Sequence, residues 1–212
     1  MRYFLILAAL MLPVSAHAGD HSHKHHAMGK VSAKLKRDPA VKAYVKAAKV
    51  MHRDMDITYT GNADVDFTRG MLPHHQGAVD MIKVLHQYGK DEELRELANF
   101  MSRWQQVEIN LMKRWLETKD STAIVGNNEE AVAAYKESMH KMHKDMDITY
   151  TGDVDVDFAN GMIPHHQGAI DMAWILIKHG KDEELRSMAR DIIRSQQQEI
   201  AIMKEWLRKH GK

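Results

Sequence analysis

Two pairs of adjacent histidines, His74-His75 and His165-His166, are the residues of this chain most suited to chemistry. Each pair follows a proline, with a methionine three residues before its first imidazole and another six residues after its second. At 100° per residue, both imidazoles of a pair fall on one apolar stripe of a helix. Neighbouring imidazoles on a core-facing stripe are hard to satisfy by packing alone, so we interpret them as candidate metal ligands.

Polar residues also interrupt an apolar stripe further along the chain. Gln105 and Glu108 lie among core-type residues, and Glu199 repeats the interruption. A carboxylate on such a stripe is costly unless it is paired or bound to a cation. Counting about 1.5 Å per residue from a turn near Gly89 places His75 at the height of Gln105 on an antiparallel neighbour. We therefore expect the histidine pair to meet Gln105 and Glu108 across a helix interface.

The helix that precedes the histidine pair ends in a Met-His-x-x-Met sequence, and a short loop connects it to the helix of that pair. We therefore expect these side chains to lie at about the same height along the bundle as the histidine pair. One polar, thioether-rich cluster could thus draw on three helices. The first candidate set is Met51, His52, Met55, Met71, His74, His75, Met81, Gln105, Glu108 and Met112. The second is Met142, His143, Met146, Met162, His165, His166, Met172, Gln196, Glu199 and Met203.

These donors favour copper. Thioether sulfur selects Cu(I) and imidazole is a borderline donor, whereas Mg, Ca and Mn prefer oxygen. Structural zinc sites usually use thiolates, which a chain without Cys lacks. Two interpretations without metal stay open: methionine at helical spacing often fills a core, and a buried His-Glu hydrogen bond would satisfy Glu108.

The composition agrees with soft-metal chemistry in an oxidising compartment, with 16 Met, 15 His and no Cys in 212 residues. A chain that is 44% apolar and 28% charged is typical of a soluble globular protein. Its 30 basic and 29 acidic residues create no field that would attract nucleic acid. Residues 1–18 resemble a signal peptide, with Arg2, a short apolar run and the cleavage-type sequence Ala16-His17-Ala18. We expect cleavage after Ala18, export to the periplasm and no membrane insertion of the mature chain.

Residues 19–33 form a predicted flexible tail that contains four imidazoles, at His21, His23, His25 and His26. Such a tract chelates Cu(II), Zn(II) or Ni(II). A purification tag or an inert hydrophilic tail is the alternative interpretation.

The chain repeats itself. Residues 51–116 align with residues 142–207 at a constant offset of 91, and Met55 to Gly61 recurs unchanged as Met146 to Gly152. Each repeat predicts three helices: one after Asp38-Pro39, one from about Asp64 to Gly89, and one from Asp91 to about Thr118. The second contains Pro73, which predicts a kink or a true start near that residue.

Strand patterns are absent, so we predict an all-α fold, an antiparallel helical bundle made of two tandem three-helix repeats over residues 34–120 and 125–212. Three helices give little core, so the repeats are expected to pack together.

The sequence from Phe67 to Met81, followed by Gln105-x-x-Glu108-Ile-x-x-Met112, resembles the signature of the domain of unknown function 305 family, once in each repeat. Its members include CopM-like periplasmic copper-binding proteins. The resemblance implies a ferritin-like bundle, export, and copper binding through methionine and histidine for copper tolerance or trafficking.

The favoured function is a non-catalytic protein that sequesters or traffics copper, with Cu(I) at the core sites and Cu(II) at the tail. A periplasmic or membrane copper-transfer protein is the expected partner. One alternative is a ferritin-like di-metal oxidase, but that chemistry needs about four carboxylates and paired Glu-x-x-His motifs in one bundle. Each core stripe offers a single glutamate. A structural helical protein with a metal-chelating tail is the other alternative.

Overall fold

The computed structural model describes residues 29–119 and 125–211. This part of the chain contains six α-helices and no β-strand beyond an isolated bridge between Lys30 and Thr149. The helices are α1 (Pro39–Asp54), α2 (Ala63–Tyr88), α3 (Glu92–Thr118), α4 (Glu129–Asp145), α5 (Val154–His179) and α6 (Glu183–Lys209). The predicted all-α fold is therefore confirmed.

Capping residues set the helix ends close to where the sequence predicts them. The Asp38 carboxylate accepts a hydrogen bond from the Val41 amide, and Pro39 occupies the first turn of α1. Asp91 caps α3 in the same way, and Gly89 follows the last residue of α2. The two aspartates satisfy amides that a helix leaves without internal partners, and the Gly89 amide donates to the Leu85 carbonyl at the end of α2.

Pro73 lies inside α2, so the start predicted at about Asp64 is confirmed and the alternative start near Pro73 is wrong. The helix begins ten residues earlier at Ala63, where the Asn62 side chain accepts from the amides of Asp64 and Val65. Proline removes one backbone hydrogen bond, but the turns on both sides of it are buried. Cap and burial together outweigh the missing bond.

The three helices of residues 39–118 and the three of residues 129–209 share one core. The long helices α2 and α5 pack against each other, and each also packs against the two other helices of its own repeat. Asp64, at the start of α2, accepts from the Lys181 amide after α5. Asp155, at the start of α5, accepts from the Lys90 amide after α2. These reciprocal contacts show that α2 and α5 run antiparallel.

The chain enters the described region beside the second repeat. The Lys30 amide donates to the Ile148 carbonyl, and the Lys30 carbonyl accepts from the Tyr150 amide. The predicted signal peptide and tail histidines His21, His23, His25 and His26 lie outside the described residues. Within the described ranges, no helix combines the length and hydropathy that crossing a bilayer requires.

Candidate metal centre

His75 and Glu108 meet across the α2–α3 interface, as the height count predicts. His75 Nε2 lies 2.7 Å from Glu108 Oε2, and the imidazole is fully buried. His166 Nε2 and Glu199 Oε2 are also 2.7 Å apart between α5 and α6, although their alignment is poorer for a hydrogen bond. The prediction of a histidine-glutamate contact is therefore confirmed in both repeats.

His74 does not join His75 at that interface, and the expectation that both imidazoles meet Gln105 and Glu108 is wrong for it. His74 faces α5, where its Nε2 lies 3.0 Å from the His165 carbonyl oxygen. His165 Nε2 lies 3.1 Å from the His74 carbonyl oxygen, and the two ring centroids are 3.8 Å apart. Adjacent helical residues point 100° apart, so one of the pair reaches α3 and the other reaches α5.

The hydrogen bonds determine which ring nitrogens are free. In these contacts the carbonyl and carboxylate oxygens accept, and Nε2 of His74, His75 and His165 donates. Burial is the main cause that holds the pKa of His74 and His165 well below the usual range, so both imidazoles are neutral. Nδ1 of each of these three, and of His166, has no hydrogen-bond partner among the described residues. A neutral, buried imidazole then offers one lone pair.

Buried methionines lie on the same helix faces as these histidines. Met71 precedes His75 by one helical turn and Met112 follows Glu108 by one turn, so each shares a face with its neighbour. Met162 and Met203 hold the same positions around His166 and Glu199, and all four methionines are fully buried. Met81 and Met172 are buried where α2 meets α5: a methyl group on Gly161 would lie 3.0 Å from Met81 Cε.

Helix α1 ends against α2 at a glycine. A Cβ atom on Gly77 would lie only 2.6 Å from Met51 Sδ, and Gly168 has the same relation to Met142. Met55 and Met146 are also buried. We did not single out these glycines from the sequence, although their recurrence at the repeat offset was a usable signal.

His52 and His143 approach each other across the repeats, with ring centroids 3.8 Å apart. Burial, with a smaller contribution from His143, lowers the pKa of His52 to about 3. The imidazole of His52 also contributes to the lowered pKa of His165. The two predicted sets of residues therefore lie next to each other, in one region formed by both repeats. Aligning one repeat with the other does not predict this proximity.

Gln105 and Gln196 are buried beside the histidine-glutamate pairs, as expected from their stripe positions. In the described part of the molecule, neither the amide nitrogen nor the amide oxygen of Gln105 has a hydrogen-bond partner, and the Gln196 oxygen also lacks one. Such unpartnered polar atoms are costly in a core. The two glutamine side chains therefore offer further hydrogen-bonding atoms in the core near the histidine-glutamate pairs.

Carboxylates and imidazoles alone do not form a metal cage here. Among residues 29–119 and 125–211, no group of three or more His, Asp or Glu side chains could hold a metal ion. The chain has one Glu-x-x-His sequence, Glu137 to His140, and both of these side chains are exposed on α4. A site in this core with three or more side-chain donors would therefore need thioethers, and ligation by each candidate residue stays a prediction.

The fold and these side chains define a class: an all-α bundle with a buried methionine and histidine centre. The family description "Domain of unknown function (DUF305)" matches residues 64–207, which span both repeats as one region. The chain belongs to this family. One family copy in each repeat stays a prediction.

Solved structures agree with this assignment. CopM in the Cu(I)-bound form is 34% identical, with a TM-score of 0.54 over 69% of this chain and 96% of that chain. CopM structures in the apo, Cu(II)-bound and Ag-bound forms match to a similar degree. The putative secreted DUF305 protein from Streptomyces coelicolor matches with a TM-score of 0.57 over 72% of this chain and 96% of its own, but at 24% identity it supports the fold alone.

One curated sequence relative matches a shorter region of the chain. Uncharacterized protein L153 of Acanthamoeba polyphaga mimivirus is 47% identical over 49 residues, which are 23% of this chain. The match spans about a third of that relative, 32% of its length.

Proposed function

We propose that this chain is an exported copper-binding protein that sequesters or traffics copper without catalysing a reaction. One observation carries the proposal: four fully buried imidazoles have Nδ1 atoms without partners among the described residues, on helix faces lined by buried methionines. Neutral imidazole and thioether are donors that suit Cu(I).

The two glutamates that contact buried histidines suggest a division of roles. Metal-binding histidines usually donate their other N–H group to a carboxylate or a carbonyl oxygen, which fixes the ring. Glu108 is placed to hold His75 in this way, and Glu199 to hold His166. We therefore assign Nδ1 of each histidine to the metal and treat the glutamates as orienting residues, although the sequence suggested them as ligands.

Thioethers complete the proposed donor set. Met71 and Met112 flank the His75–Glu108 pair from two helices, and both are fully buried. A site made from these groups would be dry, which disfavours strongly hydrated divalent ions and favours a monovalent soft ion. The Cu(I)-bound and Ag-bound CopM structures support this choice because both of those ions are soft and monovalent.

Export and the tail complete the proposal. Residues 1–18 have the pattern of a signal peptide, and the tail histidines are suited to capture Cu(II) in an oxidising compartment. A periplasmic or membrane copper-transfer protein would then supply or accept the metal. No site on the described surface identifies that protein.

The test is metal stoichiometry in paired variants. His75→Ala and His166→Ala should each remove part of the bound Cu(I), because each deletes one Nδ1 donor from its own set. His140→Ala is the matched control, because His140 is exposed on α4. Unchanged stoichiometry in both core variants would move the site elsewhere.

A further inference from the structure

Helix α3 exposes an apolar stripe that its own fold does not bury. Phe100 is 48% exposed, Trp104 53% and Val107 49%, and the half-buried Leu97 and Leu111 extend the stripe at both ends. The five residues are spaced alternately by three and four positions. This is the spacing of the seam between two helices of a coiled coil.

The second repeat shows that the fold does not require these side chains. At the repeat offset of 91, α6 places Asp191, Ser195 and Gln198 where α3 has Phe100, Trp104 and Val107. Both helices nevertheless pack on their central neighbours and bury an equivalent glutamate. The apolar stripe is therefore an addition to α3, and exposed apolar patches of this kind usually mark interaction surfaces.

The stripe forms one wall of a groove of about 530 Å³ between α3 and α6. Glu108 and Glu199 both contribute to the groove lining, close to their buried histidine partners. Whatever covers the stripe would also cover the solvent side of these two glutamates.

We propose that a second copy of this chain covers the stripe, with the two α3 helices packed antiparallel. The stripe is nearly symmetric about Trp104, with offsets of seven and four residues before it and three and seven after it, so an antiparallel partner can place Trp104 against its own copy. The same register sets Leu97 against Leu111 and Phe100 against Val107, which matches apolar with apolar along the whole seam. Isologous contacts of this kind are the commonest in homodimers.

Charges at the edge of the stripe fit this arrangement. In the antiparallel register, the exposed Glu96 of one copy lies near the exposed Arg114 of the other, at both ends of the seam. Arg103 meets its own copy near the centre, and its long side chain can turn to solvent. The alternative pairing of α3 with α6 of the second copy sets Trp104 against Ser195 and leaves the apolar seam unmatched.

The experiment is sedimentation equilibrium of the metal-free chain and two matched tryptophan variants. The wild type is expected to dimerise, and Trp104→Ser is expected to weaken the dimer at least about thirtyfold, the scale of a tryptophan hot spot. The substitution copies the residue at the equivalent place in the second repeat, which favours correct folding. Trp174→Ser is the control, because Trp174 is 54% exposed on α5, away from the stripe.

A second measurement tests the dimer even if the Trp104→Ser variant does not fold. In the proposed dimer the exposed Arg103 lies near its own copy, so Arg103→Cys should give a disulfide-linked dimer in a chain without other cysteines. Ala133→Cys, exposed on α4, should not. A wild type that stays monomeric through the micromolar range, an equal effect of both tryptophan variants, or equal crosslinking of both cysteine variants would overturn the proposal.

Discussion

Replacing Glu108 with glutamine separates two roles for this residue, orienting His75 or binding copper directly. The carboxylate oxygen lies 2.7 Å from His75 Nε2, and the side chain is largely buried. Glutamine has nearly the same shape and keeps an oxygen that accepts from Nε2–H. The change therefore removes the charge and weakens the hydrogen bond, but leaves the packing of α2 against α3 intact.

The expected loss follows from the orienting role. Removing such an outer partner typically lowers metal affinity by roughly 10–100-fold. That range corresponds to about 1.4–2.7 kcal/mol of binding free energy. The number of Cu(I) ions bound should stay the same, because His75 Nδ1 and the nearby thioethers remain.

Competition with a chromophoric Cu(I) chelator measures both the affinity and the stoichiometry. Glu117→Gln is the matched control, since Glu117 is exposed on the same helix. An unchanged affinity would refute any role of Glu108 at the metal. Loss of one bound ion would instead make Glu108 a ligand and contradict the division of roles.

Three further predictions concern the fold and its coupling to metal. Gly77→Ala should lower the free energy of unfolding by about 1–3 kcal/mol in a denaturant titration, because the new Cβ would meet Met51 Sδ at 2.6 Å and Met51 Cβ at 2.9 Å; an unchanged value would contradict that packing. Burial keeps the pKa of His74 and His165 low in the folded chain, whereas unfolded imidazoles take up protons below about pH 6.5. The metal-free protein should therefore lose up to about 2.7 kcal/mol of stability per pH unit as the pH falls below that value, and a melting temperature that does not change with pH would exclude it. Saturating Cu(I), at about 100 times Kd, should stabilise the folded state by about 2.7 kcal/mol, and no shift in melting temperature would place the metal outside the fold.

Local signals predicted most of the fold. Asp38-Pro39, Asp91 and Gly89 fix helix ends through hydrogen bonds within one or two turns, so the sequence near each end carries the information. Pro73 left a helix start near it as one alternative, and that alternative is wrong because the local cost of proline is offset by burial and by the Asn62 cap eleven residues earlier.

The sequence predicted contacts of the site only between helices that are consecutive in the chain and joined by one short turn. The His75–Glu108 contact follows from counting residues on either side of the turn at Gly89. The contact between His74 and His165 depends on how α2 packs against α5, and no local periodicity reports that angle. Height along an axis is readable from sequence, but the helix on which an imidazole packs is set by tertiary structure.

The most direct test of the proposed copper centre is Cu(I) binding by a chain that begins at Gly19, after the predicted cleavage site, and whose His-rich segment can no longer bind metal. The four tail histidines are replaced with alanine, and Cu(I) is titrated in competition with a chelator; the substituted residues are His21, His23, His25 and His26. The buried methionine and histidine centre predicts tight Cu(I) binding that persists in this variant. Loss of all Cu(I) binding would assign the metal to the tail and contradict the centre.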